Sequence, residues 1–221
     1  SDVGAIILGE IVEKISGLSL DIFADSMIFK PLGMGTTFFN PPSNKKHRII
    51  PTELRPDDTA VHGYVHDENA YSLGGIAGHA GLFSTAKDLA VFSQMMLNDG
   101  LYGWKRIFKT ETVSEFTNKA NVVDGSSRLL GWDSPGGYAS GGIYLSDNSF
   151  GHTGFTGTSM WIDPDQGIIV ILLTNAVHPN RKNKSPKYYD WRQRIHSAVY
   201  ESLSIIDKNP NLKLRPKWEE G

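Results

Sequence analysis

The 221-residue chain contains no cysteine, so it forms no disulfide and holds no metal through thiolates. It also lacks an apolar run long enough to cross a bilayer, which excludes an integral membrane segment within this sequence. Large net charge is missing too: 22 Lys and Arg against 24 Asp and Glu leave −2, which argues against a nucleic-acid-binding surface. What remains, 39% hydrophobic and 21% charged residues, is typical of a folded globular protein.

The beginning of the sequence has neither a methionine nor a signal peptide. Ser1-Asp2-Val3 leads directly into an apolar helical pattern. Mature domains usually begin with a few loose polar residues. We therefore expect the chain to be a fragment of a longer protein, with any targeting signal upstream.

Two helices are predicted near the N-terminus. Residues 3–16 carry isoleucine every four positions, which predicts a largely buried helix with Asp2 as N-cap and Gly17 as C-terminal glycine. Ser19 is expected to cap a second helix, which Pro31 should end.

The middle of the chain has little periodicity. Residues 33–83 are interrupted by prolines and glycines, and so long a connection usually forms a wall or lid of a site. A helix is predicted over residues 86–97, with Thr85 and Asp88 as a capping-box pair. A shorter helix is expected near residues 111–117.

Glycine, aromatic and β-branched residues dominate from residue 129 onward. The strand candidates, with the stronger ones last, are residues 130–132, 142–144, 149–152, 158–163 and 168–174. The turn sequence at 163–167 predicts that the last two strands form an antiparallel hairpin. Because the final strand is apolar throughout, we expect it to be a central strand covered on both faces.

A terminal helix is predicted from about Asp190, followed by an extended polar segment over residues 205–221. Its apolar residues recur every four positions, at Trp191, Ile195, Val199 and Leu203. That stripe is expected to pack on the sheet. The order of elements predicts an α+β protein, in which an antiparallel sheet is covered by a C-terminal helix beside a helical region.

The segment 150–159 contains His152-Thr153-Gly154 between two predicted strands. Its glycines fit either a tight turn or a place where a ligand approaches the main chain. His-Thr-Gly in this context resembles the third motif of the penicillin-recognising serine hydrolases, in the branch of class C β-lactamases, DD-carboxypeptidases and related esterases. Ser1-Asp2 resembles the second and third residues of that family's Tyr-Ser-Asn motif. Residues 74–89 resemble the stretch that leads into one of its helices.

The resemblance implies a partial β-lactamase/transpeptidase-like fold that lacks its N-terminal strands and nucleophile helix. Residues 1–128 would be the helical region and long cleft loop. Residues 129–204 would be the C-terminal strands and covering helix of the same domain. Residues 205–221 would be a tail.

The resemblance also implies site residues. His152 would be a catalytic group beside the nucleophile, and the backbone N–H of Phe155 would supply half of an oxyanion hole. Thr153 and Gly154 would bind substrate. Asp2 would also contact substrate, although an ionised aspartate only accepts hydrogen bonds where the family's asparagine also donates.

The nucleophile of this family is the serine of a Ser-x-x-Lys motif, followed by the motif tyrosine, and neither is expected within this chain. Ser43-Asn44-Lys45-Lys46 lies in a polar loop, and Ser84-Thr85-Ala86-Lys87 opens a helix, where a capping serine with a solvated lysine is the simpler interpretation. The resemblance thus implies a fragment of a serine hydrolase acting by acyl-enzyme chemistry on a β-lactam, a D-Ala peptide or an ester, inactive alone. The alternative is a non-catalytic binding or accessory module of the same fold.

The implied partners are a small-molecule or peptidoglycan-peptide substrate and the missing N-terminal portion, with no cofactor, nucleic acid or integral membrane segment. The resemblance alone implies a periplasmic or extracellular location.

Other candidate residues have simpler interpretations. The spacing of His62 and His66 allows a metal site, but Gly63 and the absence of a helical pattern favour loop histidines. His79 lies in a Gly- and Ala-rich loop and is assigned no role. The basic run, read as a solvated loop, comprises Arg181, Lys182, Lys184 and Lys187.

Overall fold

The computed structural model describes residues 1–119, 126–184 and 186–216. It confirms the α+β class, with helices and an antiparallel three-stranded sheet. The chain divides into two compact units. The first comprises Ser1–Phe92 with Val177–Arg181, and the second comprises Ser93–Ala176 with Lys182–Gly221.

The elements follow one another in this order. The first unit contains α1 (Asp2–Ser16), α2 (Leu20–Ala24), a π-helical turn (Asp25–Phe29), α3 (Lys30–Leu32), β1 (Phe38–Phe39), a 3-10 helix (Ser43–Arg48), α4 (Glu68–Ser72) and β2 (Leu82–Phe83). Helix α5 (Ala86–Leu97) begins in the first unit and ends in the second. The second unit continues with β3 (Leu101–Tyr102), β4 (Lys105–Arg106), α6 (Thr110–Thr117), β5 (Phe150–Thr153), β6 (Ser159–Asp163), β7 (Ile168–Leu172) and α7 (Pro186–Ser202).

Helix α1 forms where it is predicted, but its caps and packing differ from the prediction. Ser1 is the N-cap, so Asp2 lies in the first turn, and Gly17 ends the helix with a φ of 70°. The prediction of a largely buried helix is wrong, because the isoleucine stripe is exposed, Ile15 by 82%. The helix packs instead through its small residues: a Cβ added to Gly78 would lie 2.0 Å from the Ala5 carbonyl oxygen. This backbone-to-backbone approach has no signature in the apolar periodicity.

Pro31 does not end the second helix, contrary to the prediction. The helix continues through the π-helical turn into α3 and ends at Gly33, which has a φ of 72°. Pro31 lies just after the π-helical turn and only two residues before Gly33, so little helix remains for it to interrupt.

The sheet has the order β5-β6-β7, with both pairs antiparallel. The predicted hairpin of the last two strands is therefore confirmed. The prediction that the last strand is central is wrong, since β6 is the central strand of the described sheet and carries the fully buried Trp161 and Ile162. A run of apolar residues indicates that a strand is shielded from water, but it does not determine the position of that strand in the sheet. The weaker candidates at 130–132 and 142–144 form no strand.

Helix α7 begins at Pro186, and it packs through the face opposite to the predicted one. The apolar residues Trp191, Ile195 and Leu203 are exposed. Polar side chains occupy the buried face, namely Gln193, His196 and Ser197 with Tyr200. They are tolerated there because they have partners, such as the Ala139 carbonyl for the Gln193 amide at 3.0 Å.

The segment after α7 packs against the second unit. Leu212 is buried and forms a parallel bridge with Gly137. The Gln193 amide also donates to the Lys213 carbonyl at 2.8 Å. Residues 205–216 therefore form an extended segment that packs against the rest of the second unit.

Candidate active site

Strand β5 carries His152 and Thr153 on opposite faces, since side chains alternate along a strand. His152 pairs with Met160 and is exposed. Its Nε2 lies 3.4 Å from Nη1 of Arg128, which also forms an ion pair with Asp133 at 2.6 Å. Because a guanidinium only donates, Nε2 is the acceptor in this contact. The predicted histidine is therefore accessible at the end of a strand, next to a cation.

The glycines after His152 form a tight turn. The Gly154 N–H donates to the Thr158 carbonyl at 2.8 Å, and the Gly157 N–H donates to the Gly154 carbonyl at 3.1 Å. A Cβ at Gly154 would lie 2.2 Å from Oγ1 of Thr158, and Gly157 has a φ of 123°. The turn requires both glycines, and it leaves the side chains of His152 and Phe155 exposed.

Residues near the start of α7 brace this turn. Lys184 donates to the Phe155 carbonyl at 2.7 Å, and its ammonium lies 4.1 Å from the centre of the Phe155 ring. The hydroxyl groups of Tyr188 and Thr174 both donate to the Gly157 carbonyl. Partial burial, together with the charge of Arg192, lowers the pKa of Lys184.

The prediction of a solvated basic loop is wrong for three of its members. Lys187 lies in α7, and its ammonium is 4.9 Å from the centre of the Trp191 ring. Lys184 contacts Phe155, and Arg181 forms ion pairs with Glu53 at 2.6 Å and Glu68 at 2.5 Å.

Asp2 lies in the first unit, and His152 to Phe155 lie in the second. Asp2 is exposed in the first turn of α1. The loop around Gly78 contacts Ala5, one turn further along the helix. The first unit therefore places the Gly- and Ala-rich loop beside the end of α1 that carries Asp2.

His79, which the sequence left without a role, holds this loop to α4. Its Nε2 lies 2.8 Å from Oδ1 of Asp67, which also accepts the Ala70 N–H at 2.8 Å as the N-cap of α4. Burial raises the pKa of Asp67, but the hydrogen bonds from Ala70 and His79 outweigh it, so the net shift is downward. The His79 side chain is buried, and its Nδ1 has no partner among the described residues.

Replacing Asp67 with alanine is expected to lower the free energy of unfolding by about 2 kcal/mol, because it removes a helix cap and the partner of a buried histidine. Urea unfolding followed by circular dichroism measures the change. The control is Asn69→Ala, an exposed position in the same helix, with an expected change within about 0.5 kcal/mol. Equal effects of the two substitutions would show that the Asp67–His79 contact does not stabilise the loop.

Neither Ser-x-x-Lys sequence forms an activated serine. The Ser84 hydroxyl lies 2.8 Å from the hydroxyl of Thr37, and Lys87 is exposed without a hydrogen bond to Ser84. Ser43 is exposed at the start of a 3-10 helix. The predicted capping box is half formed, since the Asp88 N–H donates to Oγ1 of Thr85 at 3.3 Å while the Asp88 carboxylate binds other groups.

One serine does contact a histidine. The Ser159 hydroxyl lies 2.9 Å from Nε2 of His196, and both side chains are buried. Burial, and secondly the charge of Arg192, lowers the pKa of His196 to about 4. A pair without solvent access cannot receive a substrate, so it stabilises the core.

The two histidines spaced for a metal site have separate partners. His62 lies within 3.0 Å of the Lys46 and Ile49 carbonyls, whereas His66 lies 3.0 Å from Glu53. Across residues 1–119, 126–184 and 186–216, no three metal-binding side chains are grouped to hold an ion. In the same parts of the chain, no helix combines the length and apolarity needed to cross a membrane.

Known proteins are similar to this chain in sequence and in fold. The β-lactamase family model matches residues 1–194. The chain belongs to the β-lactamase family. Proteins provisionally described as D-alanyl-D-alanine carboxypeptidases are 40% identical in Salmonella schwarzengrund and 39% in Salmonella typhi, over 196 residues. The match covers 80% of this chain and 45% of each relative, so the chain spans about half the length of the curated relatives it matches.

Solved structures share the fold. A simvastatin synthase variant from Aspergillus terreus superposes with a TM-score of 0.66 at 18% identity, over 90% of this chain and 54% of that one. A β-lactamase from Mycobacterium bovis gives 0.60 at 22% identity, over 91% and 63%. These likenesses confirm the predicted β-lactamase-like fold.

Proposed function

We propose that this chain forms part of a serine hydrolase that works through an acyl-enzyme, and that residues 152–155 line its acyl-transfer site. The observation that carries the proposal is His152-Thr153-Gly154 at the end of β5 in a β-lactamase-family chain. His152 is exposed there, and the glycine turn that follows leaves room for a substrate to approach the main chain.

Each residue of the segment has a role in this proposal. His152 transfers or shares a proton beside the nucleophile. Thr153 binds a carbonyl or carboxylate of the substrate, and Gly154 lets it approach. The N–H of Phe155 is one oxyanion donor, and such a donor contributes about 3 kcal/mol to transition-state stabilisation. Asp2 accepts a hydrogen bond from the substrate at the start of α1.

The serine nucleophile, in this proposal, belongs to sequence beyond these 221 residues. Two observations support this. Ser84 and Lys87 are not bonded to each other, and Ser159 is buried against His196. The matched relatives are also about twice as long as the aligned segment. Their description favours a D-Ala peptide as substrate over a β-lactam or an ester.

The experiment that tests this function labels the longer gene product with a fluorescent penicillin and with a fluorophosphonate. We expect acylation of one serine outside this segment, and no hydrolysis of nitrocefin or p-nitrophenyl acetate by the 221-residue chain alone. Turnover by the isolated chain that is lost in Ser84→Ala would overturn the assignment of the nucleophile. Peptide binding by the longer product without labelling by either probe would favour a non-catalytic module.

In the longer protein, replacing His152 with alanine is expected to lower kcat/KM by about 10²-fold, because a positioned proton-transfer group is lost. Steady-state hydrolysis of the acylating substrate measures the loss. The matched control is His47→Ala, an exposed histidine in the 3-10 helix, for which no change is expected. An unchanged kcat/KM in His152→Ala would mean that residues 152–155 form a structural turn without a catalytic role.

A further inference from the structure

The second unit contains a cavity of about 360 Å³ on the face of the sheet that carries Thr153 and Trp161. This face is opposite to His152, because side chains alternate along β5. Three arginines line it together with hydroxyl-bearing residues such as Ser140. Arg128 is paired with Asp133, whereas Arg192 from α7 and Arg215 from the C-terminal segment have no such partner among the described residues.

Arg192 is the most telling residue of this cavity. It is only 7% exposed, and its Nε is buried without a partner among the described residues. Its Nη1 lies 3.4 Å from the Tyr188 hydroxyl, a neutral group. A buried charge is expensive unless it is paired and hydrogen-bonded, so an arginine buried in this way calls for an anion.

Three cations converge on the ring of Tyr189. The guanidinium carbons of Arg192 and Arg215 each lie 5.6 Å from its centroid, and the ammonium of Lys184 lies 5.7 Å away. Arg215 also lies 5.5 Å from the Tyr138 ring. Such contacts hold the cations in place, but they leave the positive charges without a counter-ion.

The described residues provide no carboxylate to these three cations. The acidic residue that lines the cavity, Asp133, is already paired with Arg128 at 2.6 Å. The charge of Arg192 also acts on neighbouring groups. Together with burial, which is the larger cause, it lowers the pKa of both Lys184 and His196. Three positive charges therefore lie close together, and no carboxylate among the described residues neutralises them.

We propose that this cavity is an anion-binding subsite that takes one oxyanion group, a carboxylate or a phosphate, on the guanidinium groups of Arg192 and Arg215. A planar guanidinium binds either group through paired hydrogen bonds. The hydroxyl of Thr153 lines the same cavity, so a bound anion lies one strand position from His152. Where the anion is part of the acylated substrate, the subsite selects anionic substrates and rests on the proposed function.

Calorimetric titration of the 221-residue chain tests the subsite without any catalysis. The probes are inorganic phosphate and N-acetyl-D-alanine at fixed ionic strength. We expect saturable binding of one equivalent, weakened at least tenfold in Arg215→Gln and in Arg192→Gln. Lys213→Gln removes the same charge from an exposed position of the same segment and should bind as the parent does.

Folding is checked by circular dichroism for each variant. If Arg192→Gln does not fold, Arg192→Lys, which keeps the charge but loses the paired donors, and Arg215→Gln carry the test. Absence of saturable binding by both probes overturns the proposal, as does equal weakening in Lys213→Gln and Arg215→Gln.

The source of the anion is decided in the longer protein with p-nitrophenyl succinate and p-nitrophenyl acetate. If the anion belongs to the substrate, the succinate ester is preferred, the preference is lost in Arg215→Gln, and phosphate competes. If it is a separate ligand, phosphate binds without inhibiting hydrolysis, and the subsite stands. Failure of the acyl-enzyme function would abolish both hydrolyses but leave the titration with the isolated chain unchanged.

Discussion

Replacing Asp163 with alanine is expected to lower the free energy of unfolding by about 4 kcal/mol, because several buried donors lose their shared acceptor. Asp163 is fully buried at the end of β6. Its carboxylate accepts the Tyr200 hydroxyl at 2.9 Å, the Ser146 hydroxyl at 2.5 Å and the Gln166 N–H at 3.2 Å. The Ser146 N–H also donates to it, at 3.1 Å.

Equilibrium unfolding in urea, followed by the fluorescence of the tryptophans in the second unit, measures this loss. Asp165→Ala is the matched control, since Asp165 is exposed two residues further on and accepts hydrogen bonds from Asn148; we expect less than about 1 kcal/mol. Tyr200→Phe removes a single donor, for which about 1 kcal/mol is expected. If Asp163→Ala costs no more than Asp165→Ala, water replaces the carboxylate and the cluster is not a stabilising element.

Helix α7, which carries Tyr200, shows where reasoning from sequence fails in this protein. The position of α7 could be predicted, because helical periodicity is local. Its packed face could not, because the apolar stripe that includes Trp191 and Ile195 is exposed while Gln193 and His196 are buried. Burial of those polar groups is compensated by partners distant in the chain, such as Ser159 and the Ala139 carbonyl. Periodicity reports polarity, and it does not report whether a polar group has a partner.

Helix α1 shows the converse limit. Its ends follow from Gly17 and from the polar residues before the first apolar one, which are local signals. Its contact through Ala5 and Gly9 depends on a loop some 70 residues away, at Gly78. Small residues that permit close approach give no distinct signal in a hydrophobic pattern. The pattern therefore predicts that α1 packs through its isoleucines, which it does not.

Part of the candidate site could be predicted, because it is one continuous segment. His152, Thr153 and the glycine turn follow each other in the chain, so the motif and its strand are visible together. Lys184 precedes α7, and Arg192 lies within it. The sequence around a basic residue has no feature that separates a cation facing solvent from one facing a cavity. Their roles follow only from the folded positions of Phe155 and Tyr189.

Acidification should destabilise the second unit through His196. Burial, with the charge of Arg192 as the lesser cause, lowers the pKa of this histidine to about 4, against about 6.5 in an unfolded chain. The unfolded state therefore binds the proton first, so stability is complete above pH 6.5 and falls as the pH drops towards 4. The difference between these two pKa values corresponds to a total loss of roughly 3 kcal/mol. Protonation would also place a second donor on Nδ1, which is buried without a partner among the described residues.

Unfolding free energies measured between pH 7.5 and 4.5 in parent and His196→Gln test this assignment. The glutamine can retain a hydrogen bond to Ser159 but does not titrate, so its profile should be flatter than the parent's by about one proton across this range. His47→Gln, at an exposed histidine, should follow the parent profile. The carboxylates with lowered pKa values, such as Asp67, lose their stabilising charge only at lower pH and leave the difference unaffected. Parallel profiles for parent and His196→Gln would mean that water reaches His196 and that the core around Ser159 opens more readily than its burial implies.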